Sequence, residues 1–264
     1  MKKSETFIDN SLSEKAERER LKKMKITDAF WEKRNLGVDV TEIQCAASDS
    51  REELKEALAG IKTPYSVCKV PGGAAGLLLC AQEQGYQVIE MSIGLEIGLR
   101  ELTLPAVYRR FEQEIVVKEA DREQRESILR EIESGDIFET DRIALDPYFG
   151  KEMAGKRYAN WSRDLLEQNG HVCVGYYKDT PAAFGVNIDK ENAVCDAVLG
   201  GMLNHGGRAG LGFLSLFTNL YSARERGNVK VKTHVSSNNQ AIIHLHLQFG
   251  YRINEMQYVL IRHQ

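Results

Sequence analysis

The sequence predicts an α/β (α+β) fold, a mixed central sheet flanked by helices with a smaller α/β domain ahead of it. Three observations carry this. Short β-rich runs alternate with helix-period segments through the chain. Residues 170–188 read as an antiparallel hairpin, which a purely parallel sheet would lack. And "GGRAGLG", Gly206–Gly212, sits between an apolar strand-like run and an amphipathic helical one.

At 264 residues, the chain can bury roughly three quarters of its unfolded surface. Its formal charge of −3, with 28% charged residues, offers no field to attract a polyanion, so nucleic acid is not an expected partner. No run approaches the roughly 18 apolar residues of a membrane span. The N-terminal lysines have no apolar core behind them, unlike a signal peptide. A soluble, cytoplasmic protein is expected. The five cysteines (Cys45, Cys68, Cys80, Cys173, Cys195) are scattered without a C-x-x-C pair. They read as buried small hydrophobes, not as a disulfide frame or zinc site.

Residues 1–25 mix both charge signs with few apolar residues, a solvated extension. Residues 26–112 form the expected small α/β domain: "TPYSVCKV" as a strand, "PGGAAGLLLCAQEQG" as a turn and helix, "YQVIEMSIGLEI" as another strand. Residues 113–264 form the second. "EIVVKEADREQRESILREIE" gives a strand, then a helix with Ile128, Leu129 and Ile132 on one side. "AGKRYANWSRDLLE" gives a helix with Tyr158, Trp161 and Leu165 on a buried face. Val172, Val174 and Tyr176, then Ala182, Phe184, Val186 and Ile188, alternate as half-buried strands. "NAVCDAVLGGML" is a strand, "FLSLFTNLYSARERG" an amphipathic helix, "VKVKTHV" a strand, "NNQAIIHLHLQFG" a helix and "MQYVLIRH" a closing strand. No internal repeat is visible.

The glycine run is neither a Walker A loop, since no lysine follows, nor a G-x-G-x-x-G fingerprint, whose sixth position would be Ser215. What remains is strand, glycine turn, helix. Successive N–H groups and the positive end of the helix suit an anion, and Arg208 adds a charge. A plain tight turn explains the same residues. "VPGGAAGLLL" at Val70–Leu79 is placed similarly but lacks a basic residue, and reads as structural.

The order of elements resembles that of the GCN5-related N-acetyltransferases. The loop resembles their R/Q-x-x-G-x-G/A motif, with Gly207 where Gln or Arg is usual. "SSNNQAIIHLHLQFGY" resembles their next motif, an asparagine on a loop before a helix ending in glycine and an aromatic. "DRIALDP…AGKRYANW" and "FWEKRNLGVDVTEI" are similar to stretches of the dTDP-fucosamine acetyltransferase family, loosely outside the motifs. The resemblance implies acetyl transfer from acetyl-CoA to a small-molecule primary amine, on a nucleotide-linked amino sugar, without a metal. It implies backbone contacts to the cofactor from Met202 and Leu203, then Gly207, Arg208, Ala209, Gly210, Leu211, Gly212 and Phe213. Asn239 would contact the cofactor arm or simply cap its helix.

The proton donor departs from the family. A tyrosine is usual seven residues after the asparagine; here it is His246. At roughly 100° per residue, His246 lies about 40° from Ile242 and faces the fold, while His244 points away. The same divergence dismisses "HLH" as a metal pair. His246 is the candidate acid, against a structural hydrogen-bonded role, with Tyr251 and Tyr258 as further donors. No general base stands out. Acetylation of an amino acid, peptide or antibiotic amine, or a non-catalytic acyl-CoA-binding module, remain open. A homodimer is compatible with this reading, though the sequence gives no view of oligomeric state.

Overall fold

A computed structural model describes residues 23–203 and 210–264. The charged extension lies, up to residue 22, outside the described residues. The chain forms two compact units, Met1–Met91 with Gln257–Gln264, and Ser92–Met256. This division differs from the expected boundary between 26–112 and 113–264. Residues 92–112 belong with the second unit because Leu99 N–H donates to Val229 O (2.9 Å) and the Tyr108 ring stacks on Phe213, centroids 4.2 Å apart.

In the first unit, β1 (Lys25–Asp28), α1 (Phe30–Leu36), β2 (Val40–Gln44), α2 (Arg51–Gly60), β3 (Tyr65–Pro71) and α3 (Ala75–Glu83) follow one another. β1 pairs antiparallel with β2, β2 parallel with β3, and Gln257–His263 antiparallel with β3. A capping box starts α2: Ser50 Oγ accepts from Glu53 N–H at 3.1 Å, and the Glu53 carboxylate accepts from Ser50 N–H at 3.0 Å. One turn on, Leu54 and Leu58 pack with Ile43, Cys68, Val70 and Cys80, each leucine contributing roughly 1.5–3 kcal/mol by burial. α3 stops at Gly85, whose φ of 84° suits glycine.

The second unit begins within β4 (Gln87–Gly98), passes a 3₁₀ segment at Ala106–Glu114, and continues through β5 (Ile115–Glu119), α4 (Arg122–Glu133), α5 (Arg142–Leu145), α6 (Gly150–Glu167), β6 (Gly170–Tyr177), β7 (Thr180–Lys190), β8 (Val194–Met202), α7 (Leu214–Glu225), β9 (Lys230–Ser236), α8 (Gln240–Gln248) and the start of β10 (Arg252–His263). Its strands run in the order β4-β9-β8-β7-β6-β5. β8 and β9 are parallel, whereas β4–β9, β5–β6, β6–β7 and β7–β8 are antiparallel, so the sheet is mixed as expected.

Three expectations of burial are corrected here. Trp161 is 40% exposed; α6 instead buries Ala154, Gly155, Ala159, Ser162 and Leu165. Small residues win because the chain after α4 crosses closely, leaving a Cβ on Gly155 only 2.6 Å from Gly135 N. β7 is buried from Ala182 to Ile188 on both faces, with α7 over one and α6 over the other. And α7 is buried all round from Leu214 to Leu220, because residues 102–111 cover its outer side. Arg224 donates to Leu102 O (3.4 Å) there, beside the Tyr108–Phe213 stack.

The expectation of no internal repeat is also overturned. β3, α3 and β4 start at 65, 75 and 87; β9, α8 and β10 start at 230, 240 and 252, with identical lengths. One constant spacing of 165 residues relates them. Gly85-Tyr86 and Glu90-Met91 recur as Gly250-Tyr251 and Glu255-Met256. Both glycines have φ near +85° (84° and 89°) and both tyrosines are buried. The final strands are exchanged: Ser92–Gly98 complete the second unit beside β9, and Gln257–His263 complete the first beside β3. Few side chains are shared, so the repeat is one of element spacing, not of composition.

α7 approaches the sheet where glycines leave room. A Cβ on Gly175 would meet Thr218, one on Gly185 would meet Asn219, and one on Gly200 would lie 2.5 Å from Ser215 O. Gly200→Ala meets helix backbone that cannot swing aside, and should destabilise by about 1–3 kcal/mol in urea unfolding. An unchanged midpoint would contradict this packing.

Candidate functional site

β8 and β9 run together only briefly. Their ladder joins Val194↔Lys230, Cys195↔Val231 and Asp196↔Lys232, while the strands continue to Met202 and Ser236. Thr233 Oγ1 donates to Ala197 O at 2.8 Å, closing the vertex. Beyond it no ladder partner joins the two strands among the described residues. The result is a parting between parallel strands, open at their C-terminal ends.

A bulge in β8 accompanies it. Against β7, Val186 pairs with Leu199 and Asn187 with Ala197, so Val198 has no partner. Beyond the bulge, Leu203 N–H donates to Ala182 O (2.9 Å). Since strand amides alternate in direction, Leu203 and Gly201 face β7, whereas the N–H groups of Met202 and Gly200 face the parting. The expected contact from Leu203 N–H is therefore corrected: that donor is taken up within the sheet.

A buried polar network braces the bulge. Asn219 of α7 donates to Leu199 O (3.0 Å) and accepts from Asn187 (2.9 Å). Arg226 reaches both oxygens of Asp189 at 2.9 Å and also donates to Asn187 Oδ1 (2.5 Å); Asn228 adds 2.8 Å to Asp189. Burial would raise the Asp189 carboxyl, but Arg226 and Asn228 outweigh it and hold it below the ordinary carboxylate range. Asn219→Ala strands Asn187 and loses the tie to Leu199. It should cost about 1–3 kcal/mol by chemical denaturation, and a neutral result would remove the network from the account.

Of the glycine loop, Gly207, Arg208 and Ala209 lie outside the described residues, as does His205. Gly210 has φ 89°, and Leu211 and Phe213 are buried. α7 starts at Phe213 without a side-chain cap. The N–H groups of Leu214 and Ser215 turn back to Leu211 and Gly212, and those of Gly212 and Phe213 have no acceptor among the described residues. A helix entrance with uncapped donors beside an open strand edge suits an anion on an extended chain.

The sequence matches no family profile and no curated protein. Solved structures do share the architecture. A functionally unknown conserved protein from Staphylococcus epidermidis superposes with TM-score 0.59 at 13% identity, over 86% of this chain and 85% of that one. A GCN5-related N-acetyltransferase from Sphaerobacter thermophilus gives 0.56 at 8%, over 91% and 76%; one from Kribbella flavida gives 0.52 at 16%, over 84% and 80%. The fold is that of the GCN5-related N-acetyltransferases. Nothing among these likenesses singles out the dTDP-fucosamine family.

Within this acetyltransferase fold, α8 holds the remaining candidates. Asn239 is its N-cap, its side chain accepting from Ile242 N–H at 3.1 Å, so the capping role is observed. His244 is exposed and His246 is 5% exposed, diverging as their spacing requires. His246 Nδ1 lies 2.7 Å from Ile242 O. A carbonyl only accepts, so Nδ1 carries the proton and Nε2 a lone pair. Burial pushes the imidazole down to about 4, against the partial opposition of that hydrogen bond. At neutral pH His246 is uncharged and has no second proton to give, which does not fit the expected acid.

Tyr251 fits better. Burial pushes its phenol well above 10, so it keeps its proton. Its ring stands edge-on to His246, centroids 4.7 Å apart. The repeat supplies a contrast. Tyr86 spends its hydroxyl on Ser66 Oγ at 2.8 Å, but the position matching Ser66 is Val231. No described residue hydrogen-bonds the Tyr251 hydroxyl. Tyr258 belongs to the first unit, opposite Val70 and packed against that unit's core.

Among the described residues the first unit has no comparable opening. β2 and β3 pair from Val40 to Gln44, and Cys45 N–H extends the ladder to Lys69 O (2.9 Å). Its helix entrance is occupied by Ser50 and Glu53. The five cysteines are buried and unbridged, as expected. No helix among the described residues is long and apolar enough to cross a membrane.

Proposed function

We propose that this chain transfers the acetyl group of acetyl-CoA to a primary amine of a small molecule, with a nucleotide-linked amino sugar as the acceptor class. The observation that carries this is the parting of β8 from β9 beside the uncapped start of α7. The residues present fit the co-substrate. The Gly200 and Met202 N–H groups edge the parting, where a pantetheine amide would continue the sheet. The amides of Gly210, Leu211, Gly212 and Phe213, with Gly207, Arg208 and Ala209, would hold the pyrophosphate.

Bound acetyl-CoA supplies an acyl carbon activated as a thioester. The chain's own residues do the rest. Backbone donors along β8 stabilise negative charge on the carbonyl oxygen as the amine attacks. Tyr251 delivers its hydroxyl proton to the leaving sulfur, and His246, neutral and locked through Nδ1, packs against the Tyr251 ring. We assign no step to Tyr258, and Asn239 acts chiefly by starting α8. The acceptor class rests on the stretches around Arg142 and Tyr158. Free thiol released on mixing the protein with acetyl-CoA and an amino-sugar nucleotide tests the reading. Release with amino acids or peptides instead would correct the acceptor, and binding without release would make the chain an acyl-CoA-binding module.

A further inference from the structure

A histidine–carboxylate pair stands at the level where the strands part. Along β9, Val231 and Val235 are buried, so by strand alternation Lys230, Lys232 and His234 share the opposite face. His234 follows Lys232, the last residue paired to β8, by two positions. Its Nε2 lies 2.8 Å from Glu255 Oε1 of β10. Glu255 reaches it by crossing Gly94, the residue of β4 that pairs with His234. A Cβ on Gly94 would lie 2.5 Å from Glu255 Cγ and 2.5 Å from Asn254 Oδ1, so only glycine leaves the path open. The ionised carboxylate accepts, so Nε2 carries the proton and Nδ1 presents a lone pair. The histidine side chain is 61% exposed, open to an amine and to water. At the matching position of the first unit stands Lys69, paired with Glu42 at 3.3 Å.

We propose that His234 is the general base of the transfer, with Glu255 as its positioning residue. This rests on the acetyl-transfer reading above. His234 Nδ1 takes one proton from the acceptor ammonium, leaving a neutral amine and an imidazolium held by Glu255. The amine nitrogen forms the C–N bond and the C–S bond breaks. The thiolate takes the Tyr251 proton, the new amide nitrogen's surplus proton restores Tyr251 through water, and the imidazolium returns its proton to solvent. The charged groups sharing the strands around His234 are Glu255 from β10, Lys230 and Lys232 of β9, Glu96 from β4 and Asp196 from β8.

The test compares two probe amines with acetyl-CoA at pH 7: glucosamine, largely an ammonium, and hydroxylamine, already largely neutral. His234→Gln should lower kcat/KM for glucosamine by about 10²-fold, but for hydroxylamine only a few-fold. Glu255→Gln should give a smaller loss, again on glucosamine and not on hydroxylamine, and falling on kcat more than on KM. Calorimetric acetyl-CoA affinity should be unchanged in both. Equal losses on both amines, or no loss on glucosamine, would overturn the assignment. So would a wild-type chain that binds acetyl-CoA and acetylates neither amine. A wild-type chain that does not bind acetyl-CoA fails the acetyl-transfer reading itself, and the base assignment falls with it.

Discussion

Tyr251→Phe should lower kcat for acetyl transfer by about 10²- to 10³-fold while leaving acetyl-CoA affinity within about twofold. The substitution removes one oxygen from a buried ring and keeps its packing against His246. That hydroxyl has no partner among the described residues, unlike that of Tyr86, which Ser66 holds at 2.8 Å. Stability should therefore change little. The loss should appear in single-turnover thiol release and not in calorimetric titration. A variant with unchanged turnover would remove Tyr251 from the mechanism. A variant that unfolds would show the hydroxyl to be structural, and Tyr251→Trp with retained folding but no turnover would not rescue the assignment.

The second large effect concerns acid. The His246 imidazole is pushed from 6.5 down to about 4 in the fold. Between these values the unfolded chain binds a proton that the native state refuses, so stability falls as pH falls. The contribution is complete above pH 6.5 and lost by about pH 4. At 1.36 kcal/mol per unit of difference, it amounts to about 3 kcal/mol. His246→Leu keeps the volume and removes the titration. From pH 7 to pH 4, wild type should lose about 3 kcal/mol more than His246→Leu in chemical denaturation, the carboxylates cancelling between the two. Parallel curves would mean that His246 titrates normally.

How much of this was legible follows from particular residues. Strands with plain alternation, such as "VKVKTHV", and helices with one apolar side, such as that carrying Ile128, Leu129 and Ile132, are found where the pattern puts them. α7 is not amphipathic, because a second layer, Tyr108 and its neighbours, covers what would be its wet face. α2 shows weak periodicity with Leu54 and Leu58 as its buried leucines, and the Ser50–Glu53 capping box is its clearer signal. The repeat leaves little trace in the sequence because it preserves element lengths and a glycine–tyrosine turn but few core side chains. At the site, motif resemblance found His246, Tyr251 and the glycine loop. It could not rank the donors, since that depends on burial and on the carbonyl of Ile242. Nor could spacing show that the bulge at Val198 is braced by Asn219, although an asparagine inside "FLSLFTNLYS" is a signal of a buried polar partner. The bond from His234 of β9 to Glu255 of β10 crosses β4 between them and leaves no trace in local sequence.

The central claim is that acetyl-CoA occupies the parting of β8 and β9, once per chain. Amide hydrogen exchange with and without saturating acetyl-CoA tests it most directly. New protection should appear at Val198–Met202 and Gly210–Ser215, with Gln44–Glu53 of the first unit unchanged. Protection confined to the first unit, or none at saturating ligand, would contradict the account.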